Sequence, residues 1–112
     1  MSGPGKTIYV GGQDAVDTSG AIIGKGDLKM QEEQVLKNLQ SALAAAGGQL
    51  HHVIKWNVYV VQGQPLQPGY EVFQKVWGSQ PNPPAITVAM VSGLAHPDFL
   101  IEMDAIAFVP KG

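Results

Sequence analysis

Apolar and polar positions along the chain follow two periods, and each period predicts its own elements. Thr7-Ile8-Tyr9-Val10 reads as a short strand that ends at the glycine pair Gly11-Gly12. A second short strand, Ala21-Ile22-Ile23, follows the turn-forming run Asp17-Thr18-Ser19-Gly20, so the two are expected to form a hairpin. Asp27 is an N-cap candidate, with Glu32 and Glu33 expected near the positive end of a helix dipole. Val35, Leu36, Leu39, Ala42, Leu43 and Ala46 then recur at helical steps and build one apolar face, which Gly47-Gly48 ends.

Period two returns from Val53 to Val61. Ile54, Trp56, Val58 and Val60 are expected on one face of a strand, with Lys55, Asn57 and Tyr59 on the other. A loop rich in proline, glycine and glutamine leads to a shorter helix from about Gly69 to Trp77, with Tyr70, Phe73 and Val76 or Trp77 as its apolar positions. Pro81-Asn82-Pro83-Pro84 excludes regular structure before the next strand, Ala85 to Val91. A loop at Gly93 to Asp98 precedes the last strand, Phe99 to Val109. The order ββ-α-β-α-β-β is an α+β pattern: one domain over residues 1–112, a single sheet with two helices on one face.

The last two strands are apolar on both faces. Ile101, Met103, Ala105, Ala107 and Val109 make one face of the final strand, while Leu100, Ile106 and Phe108 add apolar groups to the other. Ile86, Val88 and Met90 are expected to do the same in the strand before, opposite Ala85, Ala89 and Val91. Strands apolar on both sides require cover on both sides, and two helices cover only one.

Composition sharpens that conflict. The 112 residues are 45% hydrophobic and 14% charged, against about 25% charged in ordinary soluble domains. A small domain has a high surface-to-volume ratio and should carry more charge, not less. Disorder is excluded by the low polarity, and the longest apolar runs are too short for a membrane helix. The expectation is a homo-oligomer in which a second copy covers the exposed sheet face. A net charge of -2 gives no footprint for nucleic acid or anionic lipid. The chain has no cysteine, and Met1 to Lys6 lacks the apolar core of a signal peptide, so a cytoplasmic protein is expected. All seven basic residues are lysines; there is no arginine.

Candidate chemistry is sparse. Glu102 and Asp104 lie two apart, hence on one side of a strand, flanked by Leu100, Ile106 and Phe108. Partial desolvation there would raise a carboxyl pKa and suit a general acid or base; the competing reading is that both reach solvent or pair with a lysine such as Lys55. Gly11-Gly12-Gln13 could offer backbone N–H groups to a ligand oxygen, or simply form a bulge. Gly24-Lys25-Gly26-Asp27 lacks the phosphate-loop spacing, and its aspartate would repel phosphate. His51, His52 and His96 do not form a metal set, and no serine sits in a nucleophile elbow. Trp56, Tyr59, Tyr70, Phe73 and Trp77 fall at core spacings, so packing is expected for most of them.

Several segments, taken together, resemble a known family. Gly11-Gly12-Gln13, the helix Gln34 to Leu50 with its Ala45-Ala46-Gly47-Gly48-Gln49-Leu50 ending, and Val53-Ile54-Lys55-Trp56-Asn57-Val58-Tyr59-Val60 occur in order with Pro84-Ala85-Ile86-Thr87 and Ile101-Glu102-Met103-Asp104-Ala105-Ile106-Ala107. From about Ile8 to Ala107 the chain is similar to the Rid (reactive intermediate deaminase, YjgF-type) family, often labelled endoribonuclease L-PSP. The resemblance implies a chorismate-mutase-like fold assembled as a homotrimer, with ligand clefts between subunits and no cofactor or metal. In the active branch of that family an arginine holds the carboxylate of a small enamine or imine such as 2-aminoacrylate. A glutamate handles water there, and backbone amides complete the cleft.

The resemblance carries over residue by residue. Glu102 matches the glutamate and Gly12 the glycine of the turn, whereas Gly11 replaces a serine, Tyr70 an asparagine, Val88 a frequent cysteine and Ile86 the arginine. Thr87 lies between the last two, on the strand whose backbone lines the family cleft. The family's Gly-Pro-Tyr-Ser-Gln-type segment with its cleft tyrosine has no counterpart before Thr7. A guanidinium grips a carboxylate through two parallel hydrogen bonds, and isoleucine has neither charge nor donor. That loss is on the order of 2–4 kcal/mol, roughly 30- to 1,000-fold in binding. The expectation is therefore a trimer whose clefts bind, or bind and hydrolyse, a small uncharged carbonyl, enamine or imine, and not an efficient 2-aminoacrylate deaminase. The alternative is a non-catalytic metabolite-binding or regulatory trimer. RNA cleavage is the weakest reading, given the acidic charge balance and the lack of arginine.

Overall fold

Val35, Leu39 and Leu43 lose all contact with water along one stripe of a helix, and that stripe lies against a four-stranded sheet. The computed structural model describes residues 3–111. In chain order the elements are β1 (Gly5–Gln13), α1 (Leu28–Ala45), a single 3-10 turn (Leu50–His52), β2 (Val53–Val61), α2 (Gln67–Trp77), β3 (Ala85–Val91) and β4 (Ile101–Pro110). The sheet runs β1-β4-β2-β3: β4 is antiparallel to both neighbours, and β2 is parallel to β3 across the α2 crossover.

Both ends of α1 have local causes. The Asp27 side chain accepts from the Met30 N–H at 3.1 Å, satisfying one of the orphan donors of the first turn. At the other end Gly47 takes a positive φ of 87°, and the Gly48 N–H reaches back to Leu43 O at 2.8 Å. That is a Schellman closure, which an L side chain at position 47 would strain. Between the ends, Leu28, Val35, Leu36, Leu39 and Leu43 pack on Ile8, Val10, Val53, Trp56, Ile101, Met103, Ala105 and Ala107. Fully buried Gln31 ties this layer to the chain entering β4. Its amide donates to Gly24 O (3.1 Å) and Asp98 O (2.8 Å), and its carbonyl accepts from the Leu100 N–H (2.8 Å).

Four expectations need correction. Ala21–Ile23 is not a strand: an isolated Val16–Ile22 bridge is all that forms, and β1 pairs with β4 instead. The Asp17 carboxylate closes a tight turn there, accepting from Ser19 N, Ser19 Oγ and Ala21 N. The Asn38 amide meanwhile takes up the Asp14 and Val16 carbonyls. Secondly, Val53 and not Ile54 enters the core, because the β2–β4 register shifts between Val53 and Lys55 and turns Ile54 outward.

Thirdly, Ile86, Val88 and Met90 pair with Trp56, Val58 and Val60, so they lie on the helix side of the sheet and not on its second face. They are nevertheless 40%, 50% and 42% exposed. Edge strand β3 extends beyond the cover of α2, whose Phe73 and Trp77 are directed at Trp56 and at one another. Fourthly, Glu32 and Glu33 do not stand in the first turn at the positive end of α1; Glu32 is 3% exposed, on the inner row with Leu28 and Leu36.

Candidate functional site

The outer sheet face, the one without helices, carries the polar groups. Cross-strand pairing aligns Tyr59 with Glu102 and Asn57 with both Asp104 and Thr87, so these side chains stand in two adjacent rows. The Asn57 amide donates to Asp104 at 2.8 Å, and Lys55 Nζ donates to the Thr87 hydroxyl at 2.6 Å. Lys55 is thus engaged with Thr87 and not with Glu102, while Glu102 and Asp104 themselves are half-buried. The Asp104 charge holds the Tyr59 phenol above its ordinary range.

Glu102 stands where β1 leaves its register. Between Val10 and Gln13 the β1–β4 pairing shifts, and Gly11 and Gly12 fall in that break. A Cβ on Gly12 would sit 2.7 Å from Glu102 Oε2, so glycine is required for the carboxyl to lie against the backbone there. Gly11 faces open space. The shift also brings Asp14 to Glu102 within hydrogen-bonding reach. Among the described residues no donor serves Asp14 Oδ1, which is buried. A carboxyl beside another carboxyl is favoured in its protonated form, and Glu102 is shifted accordingly. Burial first, then the Asp14 contact and the charges of Asp14 and Asp104, push Glu102 up to about 7. A carboxyl titrating there can give a proton or take one at neutral pH.

Tyr70, Ile86 and Val88 lie elsewhere. They border an apolar cavity of about 340 Å³ on the helix side, walled by Leu36, Trp56 and Phe73. Within one chain, the structure thus brings Gly12 and Glu102 together and sets Thr87 two strands away on the same face. The side chains of Ile86 and Val88 are on the opposite face. His51 and His52 lie on the 3-10 turn with ring centroids 4.1 Å apart, and His52 Nδ1 accepts from the Gln49 N–H. His96 accepts from the Asp98 N–H in the loop before β4. Trp56 and Trp77 are buried as core residues, whereas Tyr70 is exposed. No helix among the described residues is long and apolar enough to cross a membrane.

Two residues of chemical interest were not singled out from the sequence. Asp14 follows Gly11-Gly12-Gln13 directly, but its meeting with Glu102 depends on a pairing 88 positions apart. Glu32 did have a local signal: Leu28, Glu32 and Leu36 occupy one four-residue row of a helix.

Comparison with known proteins agrees with this architecture. A RutC family protein of Pyrococcus horikoshii is 38% identical over 104 residues, 93% of this chain and 80% of that protein. The crystal structure of a Rid family protein of unknown function from Yersinia pestis superposes with a TM-score of 0.83 at 32% identity, covering 94% of this chain and 80% of that one. A putative endoribonuclease from Thermotoga maritima gives 0.84 at 31% identity, covering 97% and 83%. The family model described as Endoribonuclease L-PSP matches residues 2–109. With that match, those relatives and the shared fold, the chain belongs to the Rid (YjgF-type, endoribonuclease L-PSP) family.

Proposed function

We propose that this chain acts as a homotrimer with clefts between subunits that bind a small uncharged carbonyl, enamine or imine compound, and that where the ligand is an imine Glu102 promotes hydrolysis of its C=N bond. The observation that carries this reading is the split of the site across the sheet. Glu102, Gly12 and Asp14 lie on the outer face, while Ile86, Val88 and Tyr70 lie around the exposed rim of β3 on the other. Two half-sites on opposite faces of one sheet can meet only when the outer face of one copy meets the β3 rim of another. The same contact would cover Ile106 and Phe108 beside Glu102.

In such a cleft the Glu102 carboxylate takes a proton from water as the water oxygen bonds to the imine carbon, and passes that proton to the imine nitrogen. The resulting carbinolamine then loses ammonia: Glu102 relays the hydroxyl proton to the amine nitrogen, the C–N bond breaks and a carbonyl remains. Burial, and after it the Asp14 contact, raise Glu102 to about 7, so one group serves both proton transfers. Ile86 supplies apolar surface where a guanidinium would bind a carboxylate, which directs the cleft to uncharged substrates.

The test generates an imine in situ from an uncharged amine with an amine oxidase and follows carbonyl release. The wild type should accelerate hydrolysis, Glu102→Gln should return it to background, and 2-aminoacrylate should gain little. Turnover that survives Glu102→Gln refutes the glutamate mechanism. Ile86→Arg should add imino-acid hydrolysis if the rest of the site is intact. The missing arginine also favours a second reading, a non-catalytic metabolite sensor. Ligand binding without any carbonyl release would select it.

A further inference from the structure

The cavity between α1, α2 and the sheet has a feature that the cleft chemistry does not use. Its walls are Leu28, Leu36, Trp56, Phe73, Val88 and Met103, and among them lies one ionisable carboxyl, Glu32. Glu32 is 3% exposed, and Oε1 is buried with no donor among the described residues. The carboxyl lies under the first turn of α2: a Cβ on Gly69 would stand 2.6 Å from Oε1, so glycine at 69 is what leaves room for it. A buried acceptor without a donor is costly, and burying it as an anion without a cation more so. Leucine or methionine at position 32 would fill the same place without that cost. Leu66, Tyr70, Ile86 and Val88 line the cavity and are exposed, so it is accessible from solvent. Its volume of about 340 Å³ lies within the range of small-molecule sites, about 300–1,000 Å³.

We infer that this cavity is a binding site for a primary ammonium ion on an apolar body, with Glu32 as the acceptor for its N–H donors. The carboxylate supplies the one charge and the hydrogen-bond acceptors that an ammonium head requires, and the aliphatic and aromatic walls remove the body from water. A ligand carboxylate would meet ionised Glu32 with like charge and finds no cation in the walls to pair with. No other wall contributes a charge. Strands β2, β3 and β4 present only Trp56, Val58, Val60, Ile86, Val88, Ile101 and Met103, and α2 presents Tyr70 as its single ionisable group. Burial first, and then the charge of Glu33 on the same helix, push Glu32 up to about 7. Binding a cation reverses that shift, so the ammonium displaces a proton from Glu32. Every residue invoked belongs to one chain, so the inference goes beyond the reading above and rests on neither the trimer nor Glu102.

The experiment is calorimetric titration of the full chain with cyclohexylammonium, cyclohexanol and cyclohexanecarboxylate, at pH 8 and again near pH 6.5 in buffers of different ionisation enthalpy. Cyclohexylammonium should bind at least about tenfold more tightly than cyclohexanol, and the carboxylate should not bind. Near pH 6.5, more than about half a proton should leave per bound ammonium. Glu32→Gln, checked for folding by circular dichroism, should lose the ammonium preference and the proton release while keeping the turnover assigned to Glu102. Equal binding of the three probes overturns the inference, as does no binding or a preference that Glu32→Gln retains. Should the variant not fold, ammonium binding by the wild type without proton release overturns it equally.

Discussion

Asp14 and Glu102, 88 positions apart, point their carboxyl groups at each other across the break in the β1–β4 ladder, with Gly12 leaving the space. Asp14→Asn removes one negative charge and offers an amide donor in its place. The Glu102 pKa should then fall from about 7 by about one unit or more. Carboxyl-carbon NMR titration of glutamate-labelled protein reads this directly, and the acid limb of any hydrolytic pH profile should move with it. An unmoved titration would show that Asp14 does not act on Glu102.

Stability should decline as pH rises through the neutral range. Glu32 and Glu102 both titrate at about 7 when folded, above the ordinary range of an unfolded glutamate, near 4.3. Between those values the folded chain binds more protons than the unfolded one, so raising the pH favours unfolding. Glu32→Gln should therefore stabilise the protein by about 1–3 kcal/mol at pH 8 and by much less at pH 5. Urea midpoints at the two pH values check the sign.

Gln31 makes three hydrogen bonds to backbone groups of two loops, and all of it is buried. Gln31→Ala leaves the Gly24 and Asp98 carbonyls and the Leu100 N–H without that partner and opens a cavity. A loss of about 3 kcal/mol or more is expected, read as a lower denaturant midpoint with little change in slope.

The trimer reading predicts a charge-sensitive outer face. Ile106 lies there in register with Tyr9 and Lys55, beside the row that holds Glu102. Ile106→Glu should convert trimer to monomer in sedimentation velocity while far-UV circular dichroism stays unchanged, because the side chain points away from the core. A wild-type monomer, or a variant that remains trimeric, would count against this interface.

Local patterns made much of the fold legible. The cap at Asp27, the stop at Gly47-Gly48 and the strand Val53–Val61 each rest on neighbours within a few positions, and each stands where its pattern put it. The hairpin expected at Ala21–Ile23 failed because turn chemistry is shared by hairpins and by isolated loops; Asp17 satisfied the local donors before a ladder could extend. The expected inward placement of Ile54 beside Trp56 failed for a related reason. A one-residue bulge reverses the faces of a strand and leaves no mark on its alternation.

By itself the sequence determined which residues could do chemistry: one carboxylate pair beside an apolar strand, a glycine turn, and no arginine anywhere. Those are matters of composition and spacing of two or four, which strand and helix geometry translate directly. Only the tertiary structure decided what those residues meet. It placed Asp14 on Glu102, buried Glu32 without a donor, and set Ile86 and Glu102 on opposite faces of one sheet. Each of these depends on strand register and on how far a helix reaches across an edge strand. Such contacts join residues distant along the chain, and they are settled by packing the whole sheet rather than by any local pattern.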